Sequence, residues 1–558
     1  MRRSLAVLAA GCALAGCATG PTPSTSVARP PAQASAARPA PKLIVAISVD
    51  QFSADLFDEY RPQFTGGLAR IASGAAFHNG YQSHAATETC PGHSTILTGA
   101  HPARNGIIAN NWIDQSIARK EKSVYCAEDE RLPPPNPSAL SGTLGSYVVS
   151  PTHLMVPTLG ELLKQVHPGS RNVAVAGKDR AAVMMTGHNV DQRWFWDGSK
   201  FATDLNAPVP QAATRANAAV KAALLEARPA LEPPPFCQGK ARPIQLQGSS
   251  RTVGDRRFAR NPEDANAFRA SPELDGATLA LAAALVDEMQ LGKRADPDVL
   301  AVSLSATDYV GHTYGTEGEE MCLQLLSLDR DLNDFLSVLD SRGIDYMVVL
   351  TADHGGLDIP ERARLAGVQD AARIEANLNA GAIGLQLGRR LGIPGFGLLG
   401  EGAGGDVYVD RTIPEADRKR LLEAAVSAYR AHPQVEAVFT ADQIAATRMP
   451  TGSPDKWSLI QRARASYYPG RSGDFLVILK KNITPISETS RYAATHGSAW
   501  DYDRRVPILF WRSGMGRSPS ERSIDTVDIM PTLASVLGLR VDPKGTDGTC
   551  LSIESASC

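Results

Sequence analysis

Lys42-Leu-Ile-Val-Ala-Ile-Ser-Val-Asp50 is a continuous, β-rich apolar run that stops on a carboxylate. A run that is apolar at nearly every position has no wet face, and so belongs at the centre of a parallel sheet covered on both sides. An Asp at the C-terminal end of such a strand stands where open α/β sheets place their chemistry. The pattern recurs at Asp298-Val-Leu-Ala-Val-Ser-Leu-Ser305, which runs on to Asp308, and at Tyr346-Met-Val-Val-Leu-Thr351, which runs into Asp353-His354. Three strands thus deliver acidic or imidazole groups just beyond their ends.

Between these runs, apolar residues recur at three and four positions over 157–165, 276–290 and 317–339, the period of helices with one buried face. Val506-Pro-Ile-Leu-Phe-Trp511 reads as a further strand and 526–537 as a further helix. The alternation predicts an α/β fold, a doubly wound, mostly parallel sheet flanked by helices. Residues 361–492 differ in texture, since no candidate ligand ends a buried strand there. Gly405–Asp410, 415–431, Val435–Phe439 and Gly473–Lys480 read β-α-β-β, a smaller α+β subdomain inserted into the large one. Residues 187–272, rich in Pro, Gly, Arg and Asn, read as insertions and long loops.

The N-terminus reads as an address. Met1-Arg2-Arg3 is basic, Leu5 to Ala15 is apolar but too short to span a bilayer, and Leu14-Ala15-Gly16-Cys17 matches the cleavage box of a bacterial lipoprotein signal. From Ala18 to Pro41 the chain is Pro, Ala, Ser and Thr, too poor in large apolar groups to offset its ordering entropy. The expected division is a lipoprotein signal peptide at 1–16, a tether at 17–41, a core at 42–360 and 493–558, and the inserted unit at 361–492. The expected location is the periplasm or cell envelope, with a lipid anchor at Cys17.

Six cysteines remain beyond Cys12 and Cys17, an even number suited to an oxidising compartment. None forms C-x-x-C, which argues against a zinc ribbon or a thioredoxin-type site. Proximity along the chain pairs Cys90 with Cys126, Cys237 with Cys322 and Cys550 with Cys558. Lys plus Arg is 57 against 59 Asp plus Glu, a formal charge of −2, so the chain lacks the basic footprint of a nucleic-acid partner.

The chemistry is distributed along the chain: Asp50; Thr87-Glu-Thr-Cys-Pro-Gly-His93; Asp308-x-x-x-His312; Asp353-His354-Gly-Gly; and Thr495-His496-Gly. Each piece alone occurs by chance or as a satisfied core pair, but their conjunction is specific. Mixed carboxylate and imidazole sets suit zinc, and several converging at strand ends are able to hold two ions at about 4 Å, the spacing of two-metal phosphoryl-transfer sites. Asp308 and His312 stand one helical turn apart, so both reach one ion if that segment coils. Thr89, just before Pro91, falls at the start of a helical run, where backbone donors and the dipole favour an anion. Val173-Ala-Val-Ala-Gly-Lys178-Asp179-Arg180 sets two cations after another strand. A terminal phosphoryl group carries more charge and exposes more oxygens than a diester, so such a pair favours monoesters.

These residues resemble the alkaline phosphatase superfamily, and within it the bacterial zinc alkaline phosphatases with a threonine nucleophile (PafA-like), relatives of the nucleotide pyrophosphatase/phosphodiesterases. The resemblance runs from Lys42 to about Cys558. It implies that Thr89 is the nucleophile and forms a phosphothreonine, that one zinc is held by Asp308, His312 and His496, and that the other is held by Asp50, Asp353, His354 and the Thr89 oxygen. It implies that Asn110 binds a phosphoryl oxygen, with Asn111 the alternative, and that Lys178 and Arg180 form the monoesterase signature Gly-Lys-x-Arg. His84, His93 and His101 are expected to be structural. The expected enzyme hydrolyses small-molecule phosphate monoesters at two Zn2+ ions. Its competitors are a phosphodiesterase or nucleotide pyrophosphatase, and a non-catalytic, metal-containing, phosphate-binding lipoprotein. A sulfatase would show C-x-P-x-R, which Cys90-Pro91 does not begin.

Overall fold

Leu43–Val49 forms a strand whose side chains are all buried. Leu43, Val45, Ile47 and Val49 enter one hydrophobic core, while Ile44 and Ala46 enter a second on the opposite face. The same division splits Leu300, Val302 and Leu304 from Val299 and Ala301, and Val348 and Leu350 from Met347 and Val349. An unbroken apolar run is therefore the requirement of a strand with two dry faces, each buried side chain of this size contributing about 1.5–3 kcal/mol. The computed structural model describes residues 38–136, 138–139, 144–554, 556 and 558, so the expected signal, Cys17 and nearly all of the tether lie outside the described residues. The chain divides between Pro39 and Ala40, and all that follows concerns the unit Ala40–Cys558.

Leu43–Val49 pairs in parallel with Asp298–Leu304 on one side and Tyr346–Thr351 on the other. Asn172–Ala176 and then Gln192–Trp196 extend the sheet beyond Asp298–Leu304, again in parallel. These strands run the same way, so the residues that follow Val49, Ala176, Leu304 and Thr351 gather along one edge. The large sheet is mixed. Arg505–Arg512 runs antiparallel between Tyr346–Thr351 and Ala75–Tyr81, and Phe201–Ala202 closes the far side antiparallel to Gln192–Trp196. Helices Pro272–Met289 and Glu319–Ser341 supply one core, while Thr89–Thr98, Asp179–Thr186 and Ile529–Val536 supply the other.

A second sheet, ordered Leu398–Leu399, Gly405–Val409, Phe475–Leu479 and Val435–Thr440, has its own core with helices Ala380–Leu391 and Glu415–Ala431. A short parallel pair, Ala372–Arg373 with Ile483–Thr484, joins the chain's approach to this sheet with its departure. Cysteines pair as proximity along the chain suggests: Cys90 with Cys126, Cys237 with Cys322, and Cys550 with Cys558.

Residues 187–272 are more regular than their composition suggests. Gln192–Trp196 belongs to the main sheet, and Gln211–Leu225 is a long helix. Gln192 and Arg193 open the strand with polar groups where an apolar run is looked for. Arg193 is nonetheless buried, paired with Asp204 and donating to the carbonyl of Gly187 at 2.9 Å. The helix is Ala-rich and buries only Ala212, Ala213 and Val220, too faint a stripe to read by period.

Candidate active site

The shared edge of the parallel strands assembles the scattered motifs. Asp50 follows the first strand. Asp308 and His312 lie one turn apart on the helix Ala306–Tyr314, and Asp353-His354 follow Tyr346–Thr351. His496 arrives from the segment before Arg505–Arg512. Asp50, Asp353 and His354 present ligand atoms all within 4.8 Å of one another, as do Asp308, His354 and His496. His312 Nε2 and His496 Nε2 approach the same Asp308 Oδ1, at 3.3 and 3.4 Å. His354 stacks on His496 with ring centroids 3.6 Å apart, so it stands between the two groups.

The backbone selects the tautomer of all three imidazoles. His312, His354 and His496 each direct Nδ1 to a main-chain carbonyl, of Ala494 at 2.9 Å, Gly355 at 2.8 Å and Thr87 at 2.9 Å. A carbonyl oxygen only accepts, so Nδ1 carries the proton and Nε2 offers a bare lone pair, the arrangement of a metal-binding histidine. Burial lowers the pKa of His354 to about 3, which keeps it neutral.

The donor set has more negative charge than the protein supplies cations to meet. Asp50 Oδ1 and His354 Nε2 are buried without a hydrogen bond, while Asp50 Oδ2 faces Lys178 and Asp353 Oδ2 faces His93. Burial, then the nearby Asp308 and Asp353 carboxylates, push the pKa of Asp50 well up. One ammonium, Lys178, stands 2.6 Å from Asp50 Oδ2 and 2.5 Å from Asp308 Oδ2. Buried electron pairs of carboxylate and imidazole, aimed at one another with tautomers preset, fit divalent cations at both groups.

Thr89 opens the wholly buried helix Thr89–Thr98. Its Oγ1 lies 3.4 Å from Lys178 Nζ and 3.4 Å from Arg180 Nη2, so the two cations read from sequence converge on the hydroxyl. Asn110 accepts from the Cys90 backbone N–H through Oδ1 at 2.8 Å and donates its own N–H to Glu88 at 2.6 Å. The first turn is thereby capped from outside, and the Asn110 amide nitrogen is the end left to donate to a bound anion. Asn111 is instead taken into a two-stranded ladder, opposite Tyr125.

Two supports escaped the sequence reading. Gln51 adopts a left-handed backbone (φ 66°), its N–H reaching Asp353 Oδ1 and its Nε2 reaching Asp308 Oδ1, each at 3.2 Å. It joins Asp353, which follows one strand, to Asp308, on the helix after another, and no spacing announces such a role. His93 is not a member of either ligand group, but its Nδ1 lies 3.0 Å from Asp353 Oδ2 and 2.9 Å from the Thr89 carbonyl, and Nε2 lies 2.9 Å from Ser303 Oγ. As a structural histidine, it ties Asp353 to the helix Thr89–Thr98. Gly92 lets this helix approach: a Cβ there would lie 2.0 Å from the Asp353 carbonyl oxygen. His84 is buried with neither ring nitrogen bonded, and burial lowers its pKa to about 3. His101 lies 3.7 Å from Asp525 and is a member of neither group.

A profile of the type I phosphodiesterase / nucleotide pyrophosphatase family matches residues 44–499. Alkaline phosphatase PhoK of Sphingomonas sp. is 51% identical over 519 residues, covering 92% of this chain and 91% of that protein. Alkaline phosphatase PhoD of Zymomonas mobilis is 45% identical over 519 residues, covering 92% and 88%. A crystal structure of wild-type alkaline phosphatase PafA matches with a TM-score of 0.80 at 27% identity, covering 93% of this chain and all of that one.

Proposed function

The chain belongs to the type I phosphodiesterase / nucleotide pyrophosphatase family, and from that premise we propose that it is a zinc-dependent alkaline phosphatase acting on phosphate monoesters through a phosphothreonine. The observation that carries the monoester reading is the placement of Lys178 Nζ and Arg180 Nη2 at 3.4 Å from Thr89 Oγ1. A phosphodiesterase, the second reading within the family, gains less from two cations, because a diester's second substituent masks one oxygen and removes one charge.

Asp50, Asp353, His354 and the Thr89 oxygen would hold one zinc, and Asp308, His312 and His496 the other, lowering the pKa of the attacking hydroxyl and taking charge from the leaving oxygen. Thr89 Oγ attacks phosphorus in line, and the bond to the ester oxygen breaks as the alcohol leaves. Water then displaces Thr89 in a second in-line step, restoring the hydroxyl and releasing inorganic phosphate. Through both steps Lys178, Arg180 and Asn110 donate to the equatorial oxygens, so the charge that grows there meets donors already in place.

Metal analysis of the purified protein is expected to find close to two zinc ions per chain; chelation should abolish turnover of an aryl phosphate, and zinc should restore it. One tightly held ion with full activity would refute the two-ion assignment. The ratio of kcat/KM for an aryl phosphate to that for its methyl diester should lie well above one; the reverse order selects the phosphodiesterase.

We take residues 361–492 as an inserted unit and the mature protein as exported and anchored by lipid at Cys17, with three disulfides supporting an oxidising compartment. Cys17→Ser should move the protein from the membrane to the soluble fraction. An unchanged distribution would leave the anchor to something other than lipid.

A further inference from the structure

Asp179 and Arg180 stand within reach of each other, since the Tyr125 hydroxyl lies 2.8 Å from Asp179 Oδ1 and 3.5 Å from Arg180 Nη1, and bidentate guanidinium–carboxylate contacts are strong. They do not pair. Tyr125 donates its hydroxyl to Asp179 Oδ1 at 2.8 Å, and Tyr147 donates to Oδ2 at 2.7 Å. The two rings lie 4.8 Å apart, so the phenols close over the carboxylate from one side. A phenol has one proton, and with that proton on Asp179 the Tyr125 oxygen presents a lone pair to Arg180 Nη1, 3.5 Å away. Arg180 Nε is buried without a hydrogen bond, and Nη2 faces Thr89. The guanidinium therefore keeps its charge and most of its donors for a ligand.

The position of Tyr125 is itself tied to the nucleophile. Its neighbour Cys126 is bridged to Cys90, which follows Thr89, and the Cys126 N–H donates to the Asn110 carbonyl at 2.9 Å. Burial, then the charge of Asp179, raises the pKa of both phenols above the usual tyrosine range, so they remain donors in alkaline solution.

We propose that Tyr125 and Tyr147 are positioning residues that set substrate class: by occupying both oxygens of Asp179 they keep Arg180 from folding onto that carboxylate, leaving it for a terminal phosphoryl group. The inference rests on the monoesterase reading above, and its test is separable from that reading, which the parent enzyme decides alone through its monoester-to-diester ratio.

The test uses zinc-loaded protein and two substrates, an aryl phosphate and its methyl diester. In Tyr125→Phe/Tyr147→Phe, Asp179 loses its two donors and captures Arg180. Monoester kcat/KM should fall about 10- to 100-fold, the worth of one charge-assisted hydrogen bond, while the diester changes by no more than about twofold. Adding Asp179→Asn to that background removes the competing charge and should return most of the monoester activity. Packing damage would not be repaired by a change at Asp179, so this rescue separates positioning from support. Equal losses on both substrates, or no recovery with Asp179→Asn, would overturn the proposal. Should the double variant fail to fold, Tyr147→Phe with and without Asp179→Asn reads the same ratio, with a smaller loss and the same rescue expected.

Discussion

Thr89→Ala should lower turnover of an aryl phosphate by about 1,000-fold or more while leaving the melting temperature nearly unchanged. The size follows from removing the atom that forms the covalent intermediate, after which only direct attack by water in the remaining site is left. The small effect on stability follows from how the helix Thr89–Thr98 is finished. The residue before it is Glu88, and the Cys90 N–H is satisfied by Asn110, so the Thr89 hydroxyl caps nothing. Its polar neighbours are Lys178 and Arg180, which the proposed mechanism assigns to substrate. Quenching the parent with acid during turnover should trap phosphate on Thr89. Ser94, Thr95 and Thr98, the other hydroxyls of the helix, are committed to it: Ser94 donates to the Pro91 carbonyl at 2.7 Å, Thr95 to that of Gly92 at 2.8 Å, and Thr98 to that of Ser94. Label on any of the three would move the nucleophile.

Lys178→Ala/Arg180→Ala should depress monoester hydrolysis far more than diester hydrolysis. Each charge-assisted hydrogen bond lost in a partly desolvated site costs about 1.5–3 kcal/mol, so the pair accounts for roughly two to four powers of ten in relative kcat/KM. Zinc content should hold. Neither side chain ligates a metal while protonated, and the buried carboxylates beside Lys178 keep it so by raising its pKa against the pull of burial. Zinc affinity has reason to rise, because an ammonium 2.6 Å from Asp50 and 2.5 Å from Asp308 competes for the same oxygens. An equal loss on both substrates would mean that the two cations support the site in general, and the phosphodiesterase reading would regain ground.

What was legible followed from how much of a residue's surroundings is local. Leu43–Val49 declares itself because both faces are dry, and Asp308 with His312 because a helix repeats every turn. Val506–Trp511 reads as a strand, yet nothing in its composition says that the strand it belongs to, Arg505–Arg512, runs antiparallel between two others. Gln192–Trp196 was hidden by Arg193, whose partner Asp204 compensates the charge only once the chain has folded. Gln51, His93 and the pair of tyrosines on Asp179 share one difficulty. Each acts on a group brought to it by tertiary structure, so no interval in the chain encodes the contact.

The strand order of the main sheet also fixes when the enzyme comes into being. Leu43–Val49 finds its neighbours only in Asp298–Leu304 and Tyr346–Thr351, and His496 follows the whole of the second sheet. During synthesis the first strand and the nucleophile helix must wait, with open edges, for partners made much later, which is the regime of slow folding and of exposure to wrong pairings. A nascent chain released before residue 496 lacks the imidazole that stands 3.4 Å from Asp308, and without Arg505–Arg512 nothing separates Tyr346–Thr351 from Ala75–Tyr81. On the proposed mechanism, hydrolytic competence is thus acquired only in the closing stage of synthesis.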